Sequence, residues 1–152
     1  MTKRMLIVYH SQSGTTAKLA IAARRGALRE DDVDVRLLRA WDAGMIDLLA
    51  CDGLLLGVAE NSATMAGSMK DFLDRTYYPA QPHQLNLPVG VFVSAGNDGR
   101  GTVAQLQRIL SGYPMKLVAE PLIFRGEADA GAIAGCEELG QTLAAGLSLG
   151  IF

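Results

Sequence analysis

The residues best suited to chemistry lie near the start of the chain, in a loop rich in hydroxyl groups. An apolar run at residues 5–8 indicates a buried strand before this loop, and residues 15–28 have helical spacing after it. The first backbone N–H groups of a helix have no partner within the helix and lie at the positive end of its dipole, so such a loop can bind phosphate. The loop lacks a lysine and lacks the glycine-rich dinucleotide pattern, so it suits a terminal phosphate monoester better than a nucleoside triphosphate. The predicted phosphate-binding residues are Ser11, Gln12, Ser13, Gly14, Thr15 and Thr16.

Two further polar loops follow apolar runs later in the chain. Residues 53–58 and 89–93 are almost continuously apolar, which is typical of strands covered on both faces of a parallel sheet. Because ligands bind beyond the carboxyl ends of the strands in such sheets, we expect the loops at residues 59–64 and 94–101 to meet the first loop there. The candidate binding residues in these two loops are Ala59, Glu60, Asn61, Ser62, Ser94, Ala95, Gly96, Asn97 and Gly99.

Strands and helices alternate along the chain, and their order predicts the fold. Residues 33–38 alternate between apolar and polar, as an edge strand does, and residues 115–124 contain a last strand broken at Pro121. Helical spacing follows each strand, including Met65, Met69, Phe72 and Leu73 on one face, whereas residues 77–88 read as a long connection. The pattern predicts an α/β fold, a three-layer α/β/α sandwich with a five-stranded parallel sheet in the order 2-1-3-4-5. We expect residues 1–152 to form a single domain.

Composition excludes several classes of function. The chain has 152 residues, a net charge of −2, 49% apolar residues and 20% charged residues, so it is globular and offers no basic surface for nucleic acid. No stretch approaches the length of a membrane span, and Cys51 and Cys136 have no metal-like spacing. We therefore expect buried free thiols and a cytoplasmic protein, with no membrane span and no metal site. No Ser-His-Asp or Cys-His set is found, so no catalytic residue is assigned.

The first loop, Ser-x-Ser-Gly-x-Thr at residues 11–16, resembles the loop that binds the FMN phosphate in flavodoxins, Ser/Thr-x-Thr-Gly-x-Thr. Residues 57–76 resemble the NAD(P)H:quinone oxidoreductases of the tryptophan-repressor-binding-protein type, chiefly through Met-Ala-Gly-Ser-Met-Lys-Asp-Phe-Leu-Asp-Arg-Thr at residues 65–76. Residues 91–101 resemble the glycine-rich third loop of the same family. The resemblance implies a flavodoxin-like fold, FMN as cofactor, NAD(P)H as donor and a quinone-like acceptor, and it leaves a homo-oligomer open.

The second loop departs from the family pattern. Ala59, Glu60 and Ser62 stand where the family has proline, threonine and phenylalanine, which leaves the contacts to the flavin ring open. Glu60 is either a carboxylate near the ring, where it would disfavour an anionic reduced flavin, or a solvated loop residue. The aromatic candidates to stack on a flavin are Trp41, Tyr77 and Tyr78, and each could equally be a packing residue. Arg100 either faces a phosphate or is simply exposed.

Three hypotheses remain open at the level of sequence. The first is an FMN-dependent NAD(P)H oxidoreductase, in which the cofactor carries the chemistry and the protein binds and orients it. The second is a flavodoxin-like electron carrier that serves a redox partner protein. The third is a binding or regulatory protein on the same fold with weak or lost flavin affinity, since a fold does not fix a function.

Overall fold

The computed structural model describes residues 2–152. Its seven strands form a sheet in the order β2-β1-β3-β5-β6, in which β4 pairs with β3 and β7 pairs with β5. All pairings are parallel except that of β4. The strands are β1 (Lys3–Tyr9), β2 (Val33–Arg39), β3 (Gly53–Asn61), β4 (Thr64–Met65), β5 (Pro88–Ala95), β6 (Lys116–Leu117) and β7 (Leu122–Arg125). The α-helices are α1 (Thr15–Ala27), α2 (Met45–Leu49), α3 (Gly67–Ala80), α4 (Arg100–Gly112) and α5 (Ala130–Leu149).

Two hydrophobic cores, one on each face of the sheet, make three layers. Leu6, Val8 and Leu56 point toward the core that contains α3 and α4. Met5 and Ile7 point toward the core that contains α1 and α5. This alternation along β1 follows from the period of two in a strand, and it explains why a strand covered on both faces is apolar throughout. The predicted flavodoxin-like sandwich is confirmed.

Helices α1 and α5 pack on each other at glycines. A Cβ atom built on Gly26 would lie 1.9 Å from the carbonyl oxygen of Glu137, and one built on Gly140 would lie 1.9 Å from that of Ala23. The two backbones therefore approach more closely than any side chain would allow. The packed pair covers the face of the sheet that carries Met5 and Ile7.

The predicted strand order is also confirmed, with the fifth position shared by two short strands. β6 pairs with the start of β5 at Pro88 and Val89, and β7 pairs with the end of β5 from Phe92 to Ala95. The predicted break at Pro121 falls between these two strands. β2 lies at the edge of the sheet, as its alternating pattern predicts.

Two segments differ from the sequence-based expectation. The predicted loop at residues 59–64 is the end of β3 and a tight hairpin to β4, so Met65 lies in a strand and not in the following helix. Helix α3 continues through Pro79 to Ala80, where a long connection was expected. Proline in the last helical turn removes a single donor, and buried Ala80 packs in the core. No helix within residues 2–152 is long and apolar enough to cross a membrane.

Candidate functional site

A cleft of about 190 Å³ lies at the carboxyl ends of β1, β3 and β5, where the three polar loops meet. This is the edge at which open parallel sheets bind ligands. The residues that line the cleft are Ser11, Gln12, Ser13, Thr15, Thr16, Ala59, Glu60, Asn61, Ser94, Ala95, Gly96 and Gly126. The structure therefore brings together residues from all three predicted loops, which are separated by more than 30 residues along the chain.

The first loop presents unpaired backbone donors to the cleft. Helix α1 begins at Thr15, and no side chain caps its N-terminus. The backbone N–H groups of residues 11–13 and 15–17 have no hydrogen-bond partner among residues 2–152. Gly14 stands at the N-cap with φ 104°, and its own N–H donates to Ser11 Oγ at 3.1 Å. A cluster of free N–H groups at a helix N-terminus forms a site for an anion.

Hydroxyl groups add donors on two sides of the cleft. Thr16 and Ser94 are almost fully buried, and neither hydroxyl is bonded to another residue of the described chain. Since no fully buried side-chain oxygen or nitrogen in that part of the chain lacks a partner, both hydroxyls must reach the surface of the cleft. A ligand there would meet hydroxyl donors from β1–α1 and from β5.

The second loop reaches the cleft on a tight hairpin. Ala59 and Asn61 line the cleft, whereas Ser62 lies at the exposed turn and is not part of the lining. Ser62 and Ala63 occupy the two central turn positions with φ 52° and 64°. Two consecutive positive φ values are typical of the type I′ turn that joins hairpin strands, where Asn-Gly is the favoured pair.

Glu60 lines the cleft, and both of its carboxylate oxygens are also hydrogen-bonded within the protein. One carboxylate oxygen, Oε1, accepts a bond from the Gly99 backbone N–H at 3.1 Å. The other, Oε2, accepts a bond from the Thr102 hydroxyl at 2.8 Å. The carboxylate thus lies at the N-terminus of α4, where the helix dipole stabilises a negative charge. It joins the second loop to the third.

The third loop divides into a lining part and an outer part. Ser94, Ala95 and Gly96 line the cleft. Asn97 is exposed outside it, and Gly99 is the N-cap of α4 with φ 90°. On the outer part, the Arg100 guanidinium donates two hydrogen bonds to the Asp98 carboxylate, and these bonds hold the pKa of Asp98 below its usual value.

Four predicted residues, Gly14, Ser62, Asn97 and Gly99, shape the loops without lining the cleft. One lining residue, Gly126, escaped the sequence analysis. Its N–H donates to the Ala95 carbonyl at 3.0 Å. The signal for it was present, since Gly126 follows β7, whose carboxyl end lies beside that of β5 at the edge where the cleft is.

The aromatic candidates lie outside the cleft. Trp41 is 57% exposed and makes edge contact with His10 at a centroid distance of 5.6 Å. Tyr77 packs against Tyr113, and Tyr78 is 76% exposed at the end of α3. Small residues, among them Ala59, Ala95 and Gly96, are part of the lining of the cleft instead.

The described part of the chain offers neither a metal site nor a reactive thiol. Within residues 2–152 no group of three or more His, Cys, Asp or Glu side chains could hold a metal ion. Both cysteines are free, and burial raises the pKa of the Cys51 and Cys136 thiols to about 12, so neither is a nucleophile at neutral pH. A larger groove of about 510 Å³ runs along β2 and α2 beside Cys51. None of its lining residues belongs to the three loops.

The fold and the cleft define a flavodoxin-like protein with a loop of free N–H groups and hydroxyls after its first strand. The chain belongs to the NADPH-dependent FMN reductase family, whose sequence model matches residues 43–129. It is 26% identical to an NAD(P)H dehydrogenase (quinone) of Syntrophus aciditrophicus, over 94% of this chain and 84% of that protein. These matches confirm the resemblance to flavodoxin-like NAD(P)H:quinone oxidoreductases.

Solved structures agree on the fold. An archaeal flavodoxin superposes with a TM-score of 0.82 at 20% identity, covering 95% of this chain and 99% of the flavodoxin. The flavodoxin, WrbA-like protein of Agrobacterium tumefaciens gives a TM-score of 0.77 at 18% identity, covering 95% of this chain and 96% of that protein.

The cleft fits the cofactor that the family implies. A phosphate monoester needs several donors around its oxygens, and the first loop offers free N–H groups together with the hydroxyls of Ser13, Thr15 and Thr16. No lysine or arginine lines the cleft, so backbone dipoles and hydroxyls supply the positive potential. The protein is an FMN-binding oxidoreductase of the flavodoxin-like fold.

Proposed function

We propose that the protein is an FMN-dependent NAD(P)H oxidoreductase that reduces a quinone or a similar acceptor. The observation that carries the proposal is the set of unpaired N–H groups at residues 11–13 and 15–17, at the edge of a cleft built from small residues. The relative from Syntrophus aciditrophicus, an NAD(P)H dehydrogenase (quinone), supports the choice of donor and acceptor.

Different residues of the cleft would bind the phosphate and the flat ring of FMN. Ser11, Ser13, Thr15 and Thr16, with the amides around them, would hold the phosphate. Ala59, Ala95 and Gly96 would form a wall on which a flat ring can lie close to the backbone. When bound, FMN supplies the capacity to accept and pass on a hydride or electrons, so the protein needs no acid or base of its own. This division agrees with Glu60, the one carboxylate in the cleft, being bonded to α4.

A spectrum and an assay together test the proposal. The purified protein should show the absorbance spectrum of a bound flavin. Protein reconstituted with FMN should show the same spectrum after the unbound FMN has been removed. With a soluble benzoquinone present it should oxidise NADPH or NADH at a rate proportional to the bound FMN. FMN-loaded protein that oxidises neither nicotinamide would overturn the proposal, and failure to retain any FMN would favour a binding or regulatory role.

A flavodoxin-like electron carrier is the second candidate. The superposition with the archaeal flavodoxin covers 95% of this chain, so this chain contains little beyond the part that matches that protein. A carrier would bind FMN, remain inert to both nicotinamides, and accept electrons from a partner reductase. The same assay, repeated with a flavodoxin reductase added, separates the two candidates. Light scattering in the same buffer would show whether a homo-oligomer forms.

A further inference from the structure

Four hydrogen bonds attach the β3–β4 hairpin to helix α4. Glu60 accepts from the Gly99 N–H at 3.1 Å and from the Thr102 hydroxyl at 2.8 Å. Further along the helix, the Gln105 side-chain oxygen accepts from the Thr64 hydroxyl at 2.9 Å and from the Met65 N–H at 3.0 Å. We call these four bonds the hairpin clamp. Each element supplies one acceptor side chain and two donors, so the clamp joins the elements from both sides.

The segment held by the clamp is strained. Ser62 and Ala63 have left-handed backbone conformations, with φ 52° and 64°, and neither is a glycine. Such a conformation is unfavourable for a residue with a Cβ atom and persists only where the surroundings enforce it. The hairpin itself is short, since β4 has two residues paired with Glu60 and Asn61. The backbone pairing between β3 and β4 therefore does little to hold the hairpin in place.

The inner half of the clamp is partly buried, with Glu60 at the surface of the cleft and Thr102 in the interior. The Thr102 side chain is fully buried, and its hydroxyl has Glu60 as its partner. Loss of that partner would leave a buried polar group unpaired, which makes the bond costly to break. The outer half, formed by exposed Gln105, does not line the cleft. Gln105 can affect the cleft only through the position of the hairpin.

We propose that Glu60 and Gln105 are positioning residues, which hold the strained hairpin so that Ala59 and Asn61 form a ready-made wall of the cofactor cleft. The inference rests on the proposed function, because the wall is useful only if FMN binds beside it. A wall ordered in advance does not have to be ordered on binding, so affinity is higher than for a mobile hairpin. The clamp thereby contributes to affinity from a helix outside the cleft.

The affinity test compares two glutamines on the same helix. Gln105→Ala removes the outer two bonds, whereas Gln107→Ala removes an exposed glutamine that makes no side-chain bond in the described chain. We expect Gln105→Ala to raise the FMN dissociation constant about fivefold, and Gln107→Ala to change it less than about twofold. The constant is measured by quenching of flavin fluorescence on binding. Equal constants for the wild type and Gln105→Ala would overturn the inference.

Substitutions of Glu60 separate position from charge. Glu60→Ala removes both inner bonds and should weaken FMN binding about tenfold or more. Glu60→Gln keeps an acceptor for the Gly99 N–H while removing the charge, so it should recover most of the affinity lost in Glu60→Ala. If Glu60→Gln is as weak as Glu60→Ala, the charge and not the position is responsible, and the positioning role of Glu60 is wrong.

Hydrogen exchange supplies a readout that needs no cofactor. The Ala66 N–H donates to the Ala59 carbonyl at 2.9 Å and closes the base of the hairpin. In protein without FMN, Gln105→Ala should speed exchange in peptides that cover residues 60–66, with no change in peptides from α1. Unchanged exchange overturns the inference, as does faster exchange with unaltered affinity. A wild-type protein that binds no FMN would instead show that the proposed function is wrong, which is a distinct result.

Discussion

The two sides of the cleft use their polar groups in opposite ways. In the first loop the N–H groups of residues 11–13 and 15–17 are left without partners, and the hydroxyl of Thr16 is unbonded. On the opposite side, the donors and acceptors of the hairpin and the start of α4 are bonded to one another through Glu60 and Gln105. The first loop leaves its donors available to a ligand, whereas the hairpin and α4 use their polar groups to fix the position of the hairpin.

The two N-caps show the same contrast. Gly14 and Gly99 both precede a helix with a positive φ. A Cβ atom on Gly14 would meet nothing within 4 Å, whereas one on Gly99 would lie 2.7 Å from Ile123 Cγ2. The first loop therefore has open space in front of its helix, and the third loop is packed. We therefore expect a substitution at Gly99 to cost more stability than one at Gly14, and substitutions in the first loop to act mainly on FMN affinity.

The largest change in FMN affinity is expected from placing a negative charge in the first loop. Ser13→Asp adds a carboxylate beside the proposed phosphate position, and like charges about 4 Å apart repel strongly at a protein surface. We expect the FMN dissociation constant to rise about 100-fold or more. Ser13 is exposed, so folding should be unaffected. Fluorescence quenching by titration with FMN measures the change.

Riboflavin and Ser13→Ala are the matched controls for this prediction. Riboflavin has no phosphate, so its affinity should be nearly equal in the wild type and in Ser13→Asp. Ser13→Ala removes only one hydroxyl donor and should cost FMN binding about fivefold. An equal loss of riboflavin and FMN affinity in Ser13→Asp would mean that the first loop does not bind the phosphate.

The regions that sequence predicts well are those with local signals. The buried strands β1, β3 and β5 follow from continuous apolar runs, and the position of the first loop at the cleft follows from hydroxyl residues between a strand and a helix. The meeting of three loops follows from parallel strand order alone. None of these inferences needs a contact between side chains that are distant in sequence.

The hairpin was missed because its causes are not local. The turn residues Ser62 and Ala63 lack the Asn-Gly signal of a type I′ turn, and β4 has only two residues. The conformation is enforced by Gln105, which lies about 40 positions further along the chain. For the same reason the sequence does not predict the hydrogen bonds of Glu60, since its partners Gly99 and Thr102 come close to it only in the folded protein.

The second prediction compares the two N-cap glycines. Gly99→Ala combines an unfavourable φ of 90° with a clash against Ile123 Cγ2, and we expect a loss of about 2–3 kcal/mol in the free energy of unfolding. Gly14→Ala has only the unfavourable φ and should lose about 1 kcal/mol. Urea denaturation without FMN measures both losses. Similar losses in the two variants would contradict the view that the third loop is tightly packed at Gly99 and the first loop is open at Gly14.

The smallest change is expected from a substitution in the strained turn. Here we expect the free energy of unfolding to increase, whereas the glycine variants should lower it. Replacing Ser62 and Ala63 by the pair Asn-Gly supplies residues that tolerate positive φ, so the double variant should gain about 1 kcal/mol in the free energy of unfolding. Ala104→Gly is the control, because Ala104 is exposed within α4 and the same Ala→Gly change there should lose about 1 kcal/mol. Both are measured by urea denaturation.

The double turn variant also sharpens the comparison between the two sides of the cleft. If the clamp holds a turn that is strained by its own residues, a turn that prefers the same geometry should depend less on the clamp. Gln105→Ala should then weaken FMN binding less in the Asn-Gly background than in the wild type, which a double-mutant cycle on the dissociation constants measures. Strict additivity would mean that the clamp and the turn act on the cleft independently, and that the strain at Ser62 and Ala63 is not what the clamp opposes.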